Sequence, residues 1–258
     1  MTFLLNEPWL FFTTICLALF LSSILGYRLA LITKVNEDSH HHEHINFFRE
    51  GLFVLLGLLL GFTVVIVLPR FEQRRDLVNE EARAIEKAML RAELLPEPGR
   101  SRTQELLREY VLVRVDFAKE TLMDRQAMDR ESQRTKAIQR QLWQQVIAVA
   151  QENQTAVIVT YIQALNDLID VEEKRQGVFE ARLPKTVWLI VFLVAVFQTF
   201  ATGYSMKRRF WMSLVTTPLV VAMVMALIAD MDSPHAGLIR IDQTSMERLA
   251  HEVTDTKP

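Results

Sequence analysis

An all-α integral membrane protein is predicted, with four transmembrane helices in two pairs flanking an extramembrane helical domain. Three observations predict it. Four stretches contain no charged residue: Pro8–Tyr27, Gly51–Pro69, Thr186–Met206 and Phe210–Ala229, of 20, 19, 21 and 20 residues. At about 1.5 Å of rise per residue, each reaches about 30 Å, the thickness of a bilayer's hydrocarbon core. The second observation is that 23% charged residues coexist with a mean hydropathy of +0.13, so charged and apolar residues must be segregated along the chain. The third is the aromatic residues at span ends, where amphipathic rings favour the interface: Trp9, Phe11 and Phe12, then Trp188, then Phe210 and Trp211.

The first span is expected to be retained rather than cleaved. Its flank, Met1–Glu7, has no Lys or Arg, its apolar core is long for a leader, and no small-residue cleavage site follows Tyr27 and Arg28. Residues 1–69 thus form two spans with a short His-rich connection. Residues 186–230 form the second pair, and 231–258 a C-terminal tail.

Residues 70–185 differ in kind. Val78, Ala82, Ile85, Met89 and Ala92 step by three and four, as do Leu106, Tyr110, Val113 and Phe117, and later Ile158, Tyr161, Ile162, Leu165, Leu168 and Ile169. This is the spacing of amphipathic helices. Pro96-Glu97-Pro98-Gly99 breaks the first helix, and Ser101 with Gln104 fits a capping box opening the next. Lys119–Ala137 is almost wholly polar and predicts an exposed helix or loop. Gln151–Thr155 marks a second break, and Gly177 with Pro184 the entry to the third span. Charges nearly cancel over residues 70–183, with 19 Lys and Arg against 20 Asp and Glu. That balance argues against a nucleic-acid partner. Flank charges divide on orientation. Arg70, Arg74, Arg75, Arg83, Lys87, Lys174, Arg175, Arg182 and Lys185 favour a cytoplasmic middle domain, and the short Lys207-Arg208-Arg209 run opposes them.

Several side-chain groups are candidates for chemistry. His40-His41-His42-Glu43-His44 offers imidazoles and a carboxylate. His40, His42 and His44 are its candidate metal ligands, but consecutive His residues in a short connection cannot all face one ion, so no structural metal is expected. Gly57 and Gly61 form a small-xxx-small pair that permits close helix approach, within or between subunits. Phe62 and Ile66 share a helical face and are candidates for an apolar pore constriction. Gln198, Thr199 and Thr202 give the third span a polar face, and Thr216-Thr217-Pro218 interrupts the fourth. Asn166, Asp167, Asp170, Glu172 and Glu173 form an acidic run expected to be a solvated face balanced by Lys174 and Arg175. Cys16 stands alone, so it cannot form an intramolecular disulfide. No phosphate loop, nucleophile elbow, zinc-hydrolase helix motif or dinucleotide turn is found, and neither an enzyme nor a cofactor is expected.

The second span with its continuation, Leu55-Leu56-Gly57 through Gly61-Phe62-Thr63 to Arg70 and Leu77-Val78-Asn79-Glu80, resembles the bestrophin anion-channel superfamily. Other stretches resemble a bacterial bestrophin-like membrane protein family. They include Ala84-Ile85, Leu90-Arg91-Ala92 with Leu94-Leu95-Pro96, Gln139-Arg140-Gln141-Leu142-Trp143 and Leu165-Asn166 with Ile169-Asp170. Gly203-Tyr204 and Asp232-Ser233-Pro234 with Gly237-Leu238-Ile239 extend that likeness over most of residues 50–245. Bestrophins are pentameric channels with two spans, a helical cytosolic domain and two more spans. The resemblance therefore implies a homo-oligomer in a bacterial plasma (inner) membrane, with a small anion as candidate permeant. The long acidic run of the animal calcium clasp has no counterpart, since Asp230, Asp232 and Asp242 are scattered. Of the family's neck of three stacked bulky apolar residues, only part is recognisable, as Phe62 and Ile66. The second functional reading is a non-conducting scaffold or sensor whose helical domain binds a partner.

Overall fold

The computed structural model describes residues 8–33, 39–119, 125–152, 155–206, 211–233, 239 and 241–255. These form eight helices: α1 (Pro8–Thr33), α2 (Ser39–Ala92), α3 (Gly99–Lys119), α4 (Arg125–Glu152), α5 (Ala156–Glu180), α6 (Lys185–Tyr204), α7 (Trp211–Asp232) and α8 (Thr244–Asp255). Four carry stretches long and apolar enough to cross a membrane, Trp9–Thr33, His44–Ala92, Lys185–Tyr204 and Met212–Asp232. The all-helical class and the four spans are as the charge-free runs require. The chain divides into two compact units, one of residues 1–71 with 182–239, the other of 72–181 with 240–258.

In the first unit α1 packs most extensively against α6 and next against α7. Lipid is as apolar as Leu, so close packing rather than hydrophobic transfer must hold such helices together. The sequence meets this with small residues at the α1–α6 crossing. A methyl group added at Gly26 would overlap the carbonyl oxygen of Phe200, and one at Gly203 would overlap that of Ser23. One turn away, Ser22 Oγ donates to Val196 O at 2.9 Å, and at the other end Phe11 meets Trp188 edge-on, with centroids 5.5 Å apart. Leu56, Leu60 and Val67 of α2 and Ala222 and Met225 of α7 complete the core.

α2 runs unbroken through Pro69, from the charge-free run into the charged segment. Pro218 likewise lies inside α7, so Thr216-Thr217-Pro218 does not interrupt that helix as expected. A proline within a helix costs one backbone hydrogen bond, and in lipid a neighbouring hydroxyl or helix can re-satisfy the freed carbonyl. The start of α6 is held by a side chain from α7: the Asp232 carboxylate accepts from Leu183 N at 3.0 and 3.2 Å. A backbone amide donating to a buried carboxylate offsets part of its desolvation. Asp230 accepts from Ile239 N at 2.9 Å.

The second unit is built on the predicted helical faces. Val78, Ala82, Ile85 and Ala92 are buried on α2, Leu106 and Tyr110 on α3, and Ile158, Tyr161, Leu165 and Leu168 on α5. Burying each such Leu or Ile contributes about 1.5–3 kcal/mol. Met246, Leu249, Ala250 and Val253 of α8 join the same core, a helix for which the sequence carried no reading. Three local expectations are corrected. Glu97, not Ser101, caps α3: its carboxylate accepts from Ser101 N at 3.2 Å and Ser101 Oγ at 2.7 Å. That placement holds the Glu97 carboxyl below its usual range. Gly177 lies within α5, and Pro184 alone precedes α6. Residues 125–137 form the first half of α4, and their polar face is partly buried rather than exposed, with Glu131 and Thr135 turned inward.

Candidate functional site

The pore-face candidates lie on α2. Leu56, Leu60, Thr63 and Val67 are buried on one side of this helix. Residues two positions from them are rotated by about 200°, at about 100° per residue, and must face away. Val54, Leu58 and Phe62 do, at 69, 54 and 58% exposure, and Ile66, beside Val67 at the edge of that face, is 43% exposed. Phe62 and Ile66 share this face, as their spacing requires. Val54 and Leu58 continue the same row toward the start of the helix, and sequence reasoning missed them. Counting back by fours from Phe62 would have found them. Thr63, the polar residue on the buried side, satisfies its hydroxyl by donating to Leu60 O at 2.7 Å.

Gly57 and Gly61 flank that exposed row. Nothing among the described residues lies within 4 Å of a Cβ added at either. The close approach expected there is not made among the described residues of the chain. Within the chain that role belongs to Gly26 and Gly203. The signal for them was the pairing of Ser22, Ser23 and Gly26 with Thr199, Thr202 and Gly203 at one-turn spacing.

The polar face of α6 is buried. Thr199 Oγ1 donates to Ala195 O and Thr202 Oγ1 to Gln198 O, both at 2.9 Å, so backbone carbonyls satisfy these hydroxyls. Gln198 is also buried, and its Oε1 has no hydrogen-bond partner among the described residues. The backbone of the His cluster belongs to the first turns of α2, which begins at Ser39, rather than to a loop. His44 is exposed. The side chains of His40, His41, His42 and Glu43 lie outside the described residues.

A second constellation, in the other unit, was not anticipated. Glu81 of α2 meets Arg114 of α3 at 2.9 Å and Arg175 of α5 at 3.1 Å. Glu131 of α4 pairs with Arg114 and lies 3.6 Å from Arg175. Tyr110 Oη donates to Glu81 Oε1 at 2.9 Å. Burial and the Glu81 carboxylate hold that phenol protonated, well above its ordinary value. Two guanidinium groups thus balance two carboxylates where all four side chains are withdrawn from solvent. Such a network persists only when every member is paired. Glu172, expected on a solvated face, is a third buried carboxyl. Gln139 Nε2 donates to its Oε2 at 3.5 Å, and its Oε1 has no hydrogen-bond partner among the described residues. Burial raises its pKa, Arg114 opposes that rise and Glu81 adds to it. Arg175 likewise leaves the solvated end expected for it and stacks over Phe179, 5.1 Å from the ring centroid. Asp167 stays outside, 3.1 Å from Lys87.

Three solved structures share this fold. A crystal structure of a point variant of a bacterial bestrophin homologue from Klebsiella pneumoniae has a TM-score of 0.66 at 13% identity, covering 94% of this chain and 98% of that one. Another structure of a K. pneumoniae bestrophin homologue, phased on zinc, gives 0.65 at 14% identity and covers 93% and 98%. A variant described as a membrane protein gives 0.62 at 15% identity, over 94% and 98%. No curated protein sequence matches the chain significantly. The profile of the Bestrophin-like domain matches residues 15–246, and the chain therefore belongs to the bestrophin-like family of multi-pass membrane proteins.

Proposed function

We infer that this chain is the subunit of an oligomeric channel in a bacterial inner membrane, with α2 facing a shared pore and residues 70–185 in the cytoplasm. The observation that carries the reading is the row Val54, Leu58, Phe62 and Ile66. It runs from the side of α2 opposite the buried residues to the edge of that side at Ile66, and is exposed at every step. Assembly around an axis would bring copies of such a row together as stacked apolar rings, which can gate a pore by dewetting. Family membership favours channel over enzyme, and the bestrophin relationship favours a small anion as permeant. Gly57 and Gly61, open beside the row, suit close contact with a neighbouring subunit. Buried Asp230 and Asp232 each accept from a backbone amide in this chain, which gives them a structural role in place of a calcium clasp.

The test is purification in mild detergent, mass determination, and reconstitution into a planar bilayer. The reading expects an oligomer with discrete anion currents. A monomer or dimer without conductance would replace it with the scaffold or sensor reading.

A further inference from the structure

The first unit contains a cleft of about 490 Å³ that adjoins the exposed row of α2 at Val54. Besides Val54, its lining includes Arg49, Glu50 and Phe53 of α2, Gln198 and Thr202 of α6, and Thr217 of α7. Arg49 and Glu50 immediately precede the charge-free run that starts at Gly51, and Gln198 and Thr202 lie in the last two turns of α6, which ends at Tyr204. The cleft therefore lies at the end of the spans, at the depth where one leaflet's headgroups meet the protein.

Its walls carry opposite chemistry. Arg49 Nη1 donates to Ser205 Oγ at 3.2 Å, and Nη2 lies 3.5 Å from the Glu50 carboxylate. A guanidinium has five N–H donors, so this fork keeps donors for an anion. Across the cleft, Gln198 is 2% exposed and its Oε1 has no hydrogen-bond partner among the described residues. A buried acceptor of this kind is costly and calls for a donor. The Thr202 hydroxyl already donates to a backbone carbonyl, so it too offers only lone pairs. One positive and one negative side chain line the cleft, which matches a ligand carrying both signs better than a net anion or cation.

We propose that this cleft binds a zwitterion bearing a phosphate ester and a primary ammonium, the chemistry of a phosphoethanolamine headgroup. The phosphate takes the free face of Arg49. The ammonium donates to Gln198 Oε1 and Thr202 Oγ1, and Phe53 covers the glycerol end. A trimethylated ammonium has no N–H and cannot satisfy Gln198. A glycerol headgroup brings no cation. Headgroup retention can be read whether or not the chain conducts.

The experiment uses the full chain, delipidated in detergent, with native mass spectrometry as readout. Phosphatidylethanolamine, phosphatidylcholine and phosphatidylglycerol with identical acyl chains are compared at equal concentration. Retention of phosphatidylethanolamine is expected to exceed the other two by about tenfold, the worth of one charge-assisted hydrogen bond. Arg49→Gln lowers that retention, and Gln198→Leu removes the preference over phosphatidylcholine with the assembly mass unchanged. Competition by soluble glycerophosphoethanolamine supports the headgroup chemistry and identifies a free zwitterion as a sufficient source. Failure to compete, with the lipid preference intact, identifies the membrane lipid as the source. Equal retention of the three lipids overturns the proposal, as does a preference unchanged in Gln198→Leu. A changed assembly mass with unchanged lipid retention also overturns it, making the cleft a subunit contact. Should either variant fail to assemble, the wild-type comparison of three headgroups decides alone.

Discussion

Arg114 Nε lies 2.9 Å from Glu81 Oε1, with the two side chains 3% and 1% exposed. Glu81 also holds Arg175 at 3.1 Å, so this carboxylate is the shared partner of two buried cations. Removing it leaves two buried cations to share the single Glu131 carboxylate. Glu81→Gln should destabilise the protein by about 3–5 kcal/mol, the cost of breaking a buried pair by deleting one partner. Asp167→Asn, which breaks the half-exposed pair with Lys87, should cost at most about 1 kcal/mol. Denaturant unfolding of the purified protein, followed by helical circular dichroism, measures both.

Glu172 predicts a pH dependence of the opposite sense to a salt-bridged acid. Burial raises its folded-state pKa above the ordinary value of 4.5. The folded state therefore binds a proton more tightly than the unfolded state there. That stabilisation is complete below the ordinary value and lost as pH rises through the raised one. Glu172→Gln keeps an uncharged side chain beside Gln139 at every pH. Its melting temperature relative to wild type should climb from acid toward neutral pH and then level off. A difference that stays flat across that range would mean that folding does not shift the Glu172 pKa.

Two pairs of glycines should behave differently. Gly26→Ala and Gly203→Ala each place a methyl against a backbone carbonyl of the facing helix, which flexible side chains cannot relieve. Each should lower stability by about 1–3 kcal/mol, the cost of overpacking. Gly57→Leu with Gly61→Leu meets open space in the subunit and should leave its helicity intact while weakening the oligomer. Light scattering separates the two effects. Unchanged mass and thermal stability in the Gly57 and Gly61 double variant would make that pair incidental.

Topology is open to direct labelling. In a Cys16→Ser background, Leu94→Cys places one exposed thiol in the turn after α2, where Gly99 itself is too crowded by Val149 to accept a side chain. A cytoplasmic middle domain predicts protection from a membrane-impermeant maleimide in intact cells and labelling after lysis. Labelling of intact cells would reverse the orientation.

The spans were legible because a charge inside hydrocarbon is expensive, so their limits are written as runs without Lys, Arg, Asp or Glu. The faces of the second unit were legible for a related reason: period 3.6 survives in Ile85, Tyr110 and Leu165 whatever they pack against. The ion network was not. Glu81, Arg114, Glu131 and Arg175 each look like surface residues in their own helices, and only the meeting of α2, α3, α4 and α5 buries them together. Glu172 was hidden by its acidic neighbours, of which Asp167 does face solvent. α8 was hidden by its length of 12 residues in a polar tail. On α2 the row of four was half seen, because aromatic and branched side chains at Phe62 and Ile66 draw the eye before Val54 and Leu58 do.

The central claim is that the row on α2 faces a pore, and single-channel recording of two paired truncations in reconstituted bilayers tests it most directly. Phe62→Ala with Ile66→Ala removes bulk from the exposed row, where few packing partners are lost. Leu56→Ala with Leu60→Ala removes bulk from the buried side of the same helix and should cost about 2–5 kcal/mol per site. The account predicts that the first pair assembles normally and shows higher unitary conductance or a persistent leak, while the second loses yield and stability without gaining flux. Loss of assembly with unchanged or absent conductance in the Phe62 and Ile66 pair would contradict it, placing those side chains in helix packing rather than at a pore.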